Sequence, residues 1–170
     1  LRSDKEGEYN VSLIQFDANG TVRSPDLTIS YIDKPLAEVP VMTESDYVPR
    51  GNTPLLDAIG ECVRRVDAIK GERAATCVII TDGMENASQE FKKADIQALV
   101  KRKEAEAWTF VFIGANIDSY GEGATLGMRA GNTANYAPSN VGAVYTNSAS
   151  ATLRRGVMNR SVGVGGASAM

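Results

Sequence analysis

The chain has 170 residues, enough for one domain with a sizeable core, and its apolar (43%) and charged (23%) fractions are ordinary for a globular protein. A formal net charge of −3 argues against nucleic acid as a partner, because phosphate binding usually leaves a basic surface. The sequence contains no histidine, which excludes Ser-His-Asp and Cys-His catalysis and argues against a zinc site.

The first predicted element is a hairpin. Residues 11–16 alternate apolar with polar residues, residues 17–20 have strong turn chemistry, and residues 21–32 resume a strand-like pattern. Residues 34–50 contain three prolines and no clear periodicity. We therefore expect a surface connection there, with a short helical turn.

A helix between Pro54 and Gly71 is the clearest element. Pro54 suits the first helical position, Asn52 and Thr53 are both candidate N-caps, and Gly71 is a helix-ending residue. Apolar residues recur through this segment at three- and four-residue spacing, namely Leu55, Leu56, Ile59, Cys62, Val63, Val66 and Ile69.

Strands and helices then alternate. The near-continuous apolar run at residues 76–81 is typical of a strand buried on both faces. The later predicted elements are a helix at 89–105, a buried strand at 108–113, a helix at 119–128, a short strand at 132–136 and a helix at 142–155. Residues 1–156 are predicted to form one domain, and the Gly/Ser/Ala-rich residues 157–170 a flexible tail.

This order predicts an α/β fold of three layers, doubly wound, with a mostly parallel central sheet, an antiparallel edge strand and helices on both faces. Ligands of such sheets bind beyond the carboxyl ends of the strands. Asp17, Asp82 and Asn116 each follow a predicted strand, and Thr53 at the helix start is expected at the same edge.

Two motifs carry most of the functional signal. Residues 51–58 (GNTPLLDA) form a tight loop that enters the helix, and residues 77–83 (CVIITDG) form an apolar strand that ends on an acid and a glycine. Together they place the Thr53 hydroxyl and the Asp82 carboxylate on neighbouring loops. Hard divalent cations favour oxygen ligands, so these two residues are the candidate metal ligands. A helix cap for Thr53 and a turn residue for Asp82 remain alternatives.

The two motifs, in this order and spacing, resemble those of the von Willebrand factor type A (VWA) domain, especially its intracellular bacterial members. The resemblance implies a Rossmann-like fold with a metal-ion-dependent adhesion site built from three loops. Thr53 would be the second-loop ligand and Asp82 the third-loop acid, often acting through a water. The metal is usually Mg²⁺, with Mn²⁺ as a substitute, and an acidic group of the partner takes the open position.

The family's first-loop motif, Asp-x-Ser-x-Ser, does not occur in the 170 residues. In the family it follows a central first strand, whereas residues 11–16 match the second strand. We therefore expect Leu1 not to be the native start, and the missing strand and loop to lie upstream or on another chain. A sheet without its central strand exposes unpaired apolar edges. Metal binding is expected once the missing loop is supplied.

Further polar residues are candidates for the rim of the site. Asp57 is expected to complement the helix dipole rather than to bind metal. Each rim residue taken alone is also consistent with a turn or surface role. The candidate rim residues are Asp17, Asn52, Gly83, Glu85, Asn86, Asn116 and Asp118.

The sequence thus predicts a non-enzymatic, metal-dependent protein-binding module that recognises an acidic side chain of a protein partner. With only two cysteines and no apolar run of membrane-spanning length, we expect a cytoplasmic, bacterial protein without membrane, nucleic-acid or small-molecule partners. One alternative is a Mg²⁺-dependent phosphohydrolase that uses Asp82, although the sequence offers little as nucleophile or base. Another is a structural or assembly protein with a degenerate metal site.

Overall fold

The computed structural model describes residues 9–18, 26–46, 51–115 and 117–136. Strands and helices alternate through these ranges, which confirms the α/β class. The strands and α-helices are β1 (Asn10–Asp17), β2 (Asp26–Pro35), α1 (Leu55–Lys70), β3 (Ala75–Thr81), α2 (Lys93–Ala105), β4 (Trp108–Ala115), α3 (Ser119–Thr125) and β5 (Thr133–Tyr136). Short 3-10 helices lie at Leu36–Glu38, Glu44–Asp46 and Ala130–Asn132.

The chain divides into two compact units, and each is described by itself. The first comprises Leu1–Arg73 and Gly83–Leu99, and the second comprises Ala74–Asp82 and Val100–Met170. The predicted helix at residues 142–155 and the predicted tail at 157–170 lie outside the described residues. Within the described ranges, no helix is long and apolar enough to cross a membrane.

The first unit contains the predicted hairpin, in which β1 and β2 pair antiparallel from Asn10↔Pro35 to Asp17↔Asp26. The pairing shifts register around Leu13, and Asp33 on the opposite strand has a φ of 50°. The Asp33 carboxylate accepts hydrogen bonds from both terminal nitrogens of Arg73, at 3.0 and 2.9 Å. The Arg73 guanidinium thus links the irregular part of the hairpin to the segment that follows α1.

Helix α1 contacts both strands of the hairpin and has the predicted length. Its buried face includes Leu55, Ile59 and Val63, each at most 2% exposed, whereas Ile69 at the far end of the predicted apolar set is 43% exposed. The chain leaves the helix through Gly71, whose φ of 58° is easily adopted only by glycine.

The second unit contains a parallel sheet in the order β3-β4-β5. Ala75 pairs with Trp108 at one end of the β3–β4 ladder and Thr81 with Gly114 at the other. β4 is the central strand, and its run from Phe110 to Ile113 is at most 1% exposed. Helix α3 packs against β4 and β5.

The described strands form two separate sheets, an antiparallel pair and a parallel set of three. The prediction placed them in one mostly parallel sheet with an antiparallel edge. The described pairings therefore establish an α/β protein, while a single doubly wound, Rossmann-like sheet stays a prediction.

Strand β3 differs from its prediction. Cys77 and Ile79 are buried, but Val78 and Ile80 between and beyond them are 38% and 39% exposed. The prediction of burial on both faces is wrong, because an apolar run does not reveal whether anything covers each face. β3 is the outer strand of its described sheet, where only one face is packed.

We expect substitutions on the two faces of β3 to differ in cost. Ile79→Thr removes buried apolar contacts and buries a hydroxyl, and should lower the free energy of unfolding by about 2 kcal/mol. Ile80→Thr, the same change one position further, should cost less than about 1 kcal/mol. Urea unfolding of both variants measures the difference, and equal costs would show that both faces are packed.

Candidate functional site

The candidate site lies where α1 begins. Two segments of the first unit meet there: residues 53–57, called the helix start, and residues 83–91, called the return loop. Pro54 is the N-cap, and its carbonyl accepts the first helical hydrogen bond from Ala58 N at 3.0 Å. Pro54 is thus one position earlier than predicted and provides no side-chain cap.

The backbone N–H groups that precede Ala58 in the first turn have no intrahelical acceptor, so they need partners from elsewhere. Leu56 N donates to Glu85 Oε2 at 2.9 Å and to Ser88 Oγ at 3.0 Å. Asp57 N also donates to Ser88 Oγ, at 3.1 Å. The prediction of a cap from Asn52 or Thr53 is therefore wrong, because the capping oxygens come from a loop 29 to 32 residues later in the chain.

Asp57 makes the reciprocal contact. Its side chain is only 1% exposed, and its carboxylate accepts hydrogen bonds from three successive backbone N–H groups of the return loop. The distances are 2.8 Å from Gln89 N, 3.0 Å from Glu90 N and 2.8 Å from Phe91 N. This role was missed in the sequence, where Asp57 showed only as an acid in the first helical turn. Helix α2 begins at Lys93 and not at the predicted residue 89.

Glu85 is the most heavily engaged carboxylate of the return loop. Its Oε1 accepts from Ala87 N at 2.9 Å and Ser88 N at 2.8 Å, and its Oε2 accepts from Ser88 Oγ at 2.7 Å. Burial, the largest single influence, raises the pKa of Glu85, but the hydrogen bonds from Ser88, Leu56 and Ala87 together outweigh it. The pKa of Glu85 is therefore held below its ordinary value of 4.5.

Thr53 is held at both backbone atoms by Asn86. Thr53 N donates to Asn86 Oδ1 at 2.8 Å, and Asn86 N donates to the Thr53 carbonyl at 3.2 Å. On the side-chain side, a Cβ at Gly83 would overlap Thr53 Oγ1 and lie 3.4 Å from Thr53 Cβ. Only glycine permits this approach, so the Thr53 hydroxyl lies against the residue that directly follows Asp82 in the chain.

The remaining rim residues have separate surroundings. Asn52 exchanges two 3.1 Å backbone hydrogen bonds with Ala18, the residue after Asp17. Asp118, in the second unit, accepts a hydrogen bond from Gly121 N at 3.0 Å and caps α3. Asn116 lies outside the described residues. The structure thus brings Gly83, Glu85 and Asn86 together with the helix start.

The two predicted ligand residues have the chemistry that a magnesium site needs. Thr53, in the first unit, has a hydroxyl oxygen, and Asp82, in the second unit, has an exposed carboxylate, and Mg²⁺ prefers oxygen ligands. Among the residues that the structure describes, no group of three or more His, Cys, Asp or Glu side chains could hold a metal ion. Mg²⁺ commonly keeps several waters and takes few protein ligands, so a site that used these two residues would need further oxygens to complete its shell.

No protein family, curated protein or solved structure matches the chain.

We expect Gly83→Ala to destabilise the protein by about 1 to 3 kcal/mol, because the added methyl group must displace the Thr53 side chain. Gly51→Ala is the matched control, since a Cβ at Gly51 meets nothing within 4 Å. That change should stay within about 0.5 kcal/mol of the unmodified protein. Chemical unfolding gives both values, and a neutral Gly83→Ala would contradict the close approach of Thr53.

Glu85 should also make stability depend on acid. Because its pKa is lower in the folded than in the unfolded chain, its ionised form stabilises the fold above pH 4.5, and this contribution is lost as the pH falls through the folded pKa. The difference in unfolding free energy between the protein and Glu85→Gln should shrink as the pH falls below about 4.5.

This difference isolates Glu85 from other acids that titrate in the same range. Hydrogen bonds from Arg73 and Arg64 also lower the pKa values of Asp33 and Glu61. Both carboxyl groups are present in the protein and in Glu85→Gln, so their contributions cancel. A difference that does not change with pH would contradict the role assigned to the Glu85 carboxylate.

Proposed function

We propose that the chain is a metal-dependent protein-binding module of the von Willebrand factor A type. In this proposal Thr53 and Asp82 are ligands of a Mg²⁺ ion at the end of β3, and an acidic side chain of a partner protein takes a further coordination position. Water and oxygens from outside the described residues supply the rest. The observation that carries the proposal is the contact of Thr53 Oγ1 with Gly83, the residue after Asp82.

The capping arrangement supports a ligand role for Thr53. A threonine before a helix is most often its N-cap, and that role would occupy the hydroxyl with a backbone N–H. Here Glu85 and Ser88 satisfy the N–H groups of Leu56 and Asp57. The Thr53 hydroxyl is therefore not needed for the helix, and it lies against Gly83.

Hydrogen bonding and exposure favour Asp82 over Glu85 as the metal-binding acid. Both oxygens of Glu85 already accept hydrogen bonds within the protein. Asp82 is exposed at the end of β3, where a cation and a partner can reach it. The chain also lacks histidine, the commonest general base, so we favour binding over catalysis.

Isothermal titration of Mg²⁺ and Mn²⁺ into the full natural chain tests the proposal. We expect binding, and we expect Thr53→Val and Asp82→Asn each to weaken it by more than about tenfold, because each removes an oxygen ligand. Thr125→Val and Asp95→Asn make the same chemical changes at exposed positions and should leave the affinity unchanged.

Partner recognition is tested with peptides that carry a central Asp or its Asn counterpart. The Asp peptides should bind in Mg²⁺ and be released by EDTA, and the Asn peptides should bind weakly in both conditions. If the natural chain takes up no metal, or if peptide binding persists in EDTA, the proposed function is wrong.

A further inference from the structure

We infer that Glu85 and Ser88 are positioning residues for the proposed metal site: they fix the return loop on the helix start and so hold Gly83 against the Thr53 hydroxyl. The inference rests on the proposed function. It adds two residues that neither touch the ion nor belong to the motifs that suggested it. Their effect on metal affinity would pass through Gly83 and Thr53.

Contacts between the two segments follow one another along the chain. Gly83 lies against Thr53, Asn86 pairs with the Thr53 backbone, and Glu85 accepts from Leu56 N. Ser88 then joins the two segments at a single atom. Its hydroxyl accepts from Leu56 N and Asp57 N and donates to Glu85 Oε2. That use exhausts the one donor and two acceptor positions of a hydroxyl group.

A neutral side chain cannot replace the Glu85 carboxylate in these hydrogen bonds. Each of its two oxygens accepts two hydrogen bonds, and all four donors are backbone N–H groups or the Ser88 hydroxyl. A glutamine would keep one accepting oxygen and turn its NH₂ group toward N–H donors. Glu85→Gln therefore disrupts the two hydrogen bonds at one of the two carboxylate oxygens, with almost no change in side-chain volume.

The residues that fix the return loop are close in sequence to the proposed ligand Asp82. Only Gly83 and Met84 separate Asp82 from Glu85 in the chain. Three residue steps span at most about 11 Å when fully extended. A return loop released at Glu85 and Ser88 would let Gly83 move away from Thr53, and this contact would have to be ordered again when the metal binds. Ordering of that kind lowers affinity.

The experiment compares Mn²⁺ affinity, measured from the EPR signal of free Mn²⁺, with the thermal midpoint of the metal-free protein. The variants are Glu85→Gln, Ser88→Ala and Ser88→Thr in the full natural chain. Glu61→Gln is the matched control, because Glu61 is a hydrogen-bonded carboxylate on the same helix that pairs only with Arg64 and Arg65 in the described contacts.

We expect Glu85→Gln and Ser88→Ala to weaken Mn²⁺ binding about tenfold, as outer-shell changes commonly do. Ser88→Thr keeps the hydroxyl and should restore the affinity to within about threefold of the natural chain. Glu61→Gln should lower the thermal midpoint and leave Mn²⁺ binding unchanged. A purely structural role would change the midpoint in every variant and the affinity in none.

The outcomes separate the two proposals. If the natural chain binds Mn²⁺ and Glu85→Gln binds it equally well, the positioning role is wrong and the proposed function stands. If Ser88→Thr binds as weakly as Ser88→Ala, the hydroxyl is not the coupling group, which also overturns the inference. If the natural chain binds no Mn²⁺, the proposed function fails first and the positioning role fails with it.

Discussion

The candidate site depends on a helix that cannot cap itself. α1 begins after Pro54, which contributes no side-chain hydrogen bond, so the N–H groups of its first turn need acceptors from another part of the chain. Glu85 and Ser88 supply them. Satisfying a local requirement of the helix therefore fixes a loop about thirty residues away against the residues that precede α1.

Hydrogen bonds between the helix start and the return loop run in both directions, because α1 also provides an acceptor for the N–H groups of the loop. Asp57 is buried, and its carboxylate is compensated by three backbone N–H groups at the end of the return loop. Removing either side of this exchange leaves buried polar groups unsatisfied, which costs more than the net value of the bonds themselves. The helix start and the return loop are consequently joined by hydrogen bonds in both directions, and Gly83 and Asn86 both contact Thr53.

The sequence predicted correctly those helices and strands that a local pattern of apolar residues defines. The apolar period of α1 and the runs of β3 and β4 located these elements to within a few residues. The prediction failed where the tertiary environment decides the outcome: the cap of α1, which comes from a distant loop, and the two faces of β3, of which one is exposed. For the site, the motifs pointed to Thr53 and Gly83, and Glu85 and Asn86 were candidate rim residues. Ser88 carried no signal, because its role exists only once the loop has folded onto α1.

A loop that is already ordered would let the proposed metal site work with few protein ligands. A flexible turn would have to be ordered by the ion, and the affinity would fall by the free energy of that ordering. In this protein the hydrogen bonds of Glu85, Ser88 and Asp57 order the return loop during folding. Glycine at position 83 then allows the Thr53 hydroxyl to approach without a methyl group between them. In the proposed metal site, a Thr53 hydroxyl held in this way would need little further ordering when a cation binds.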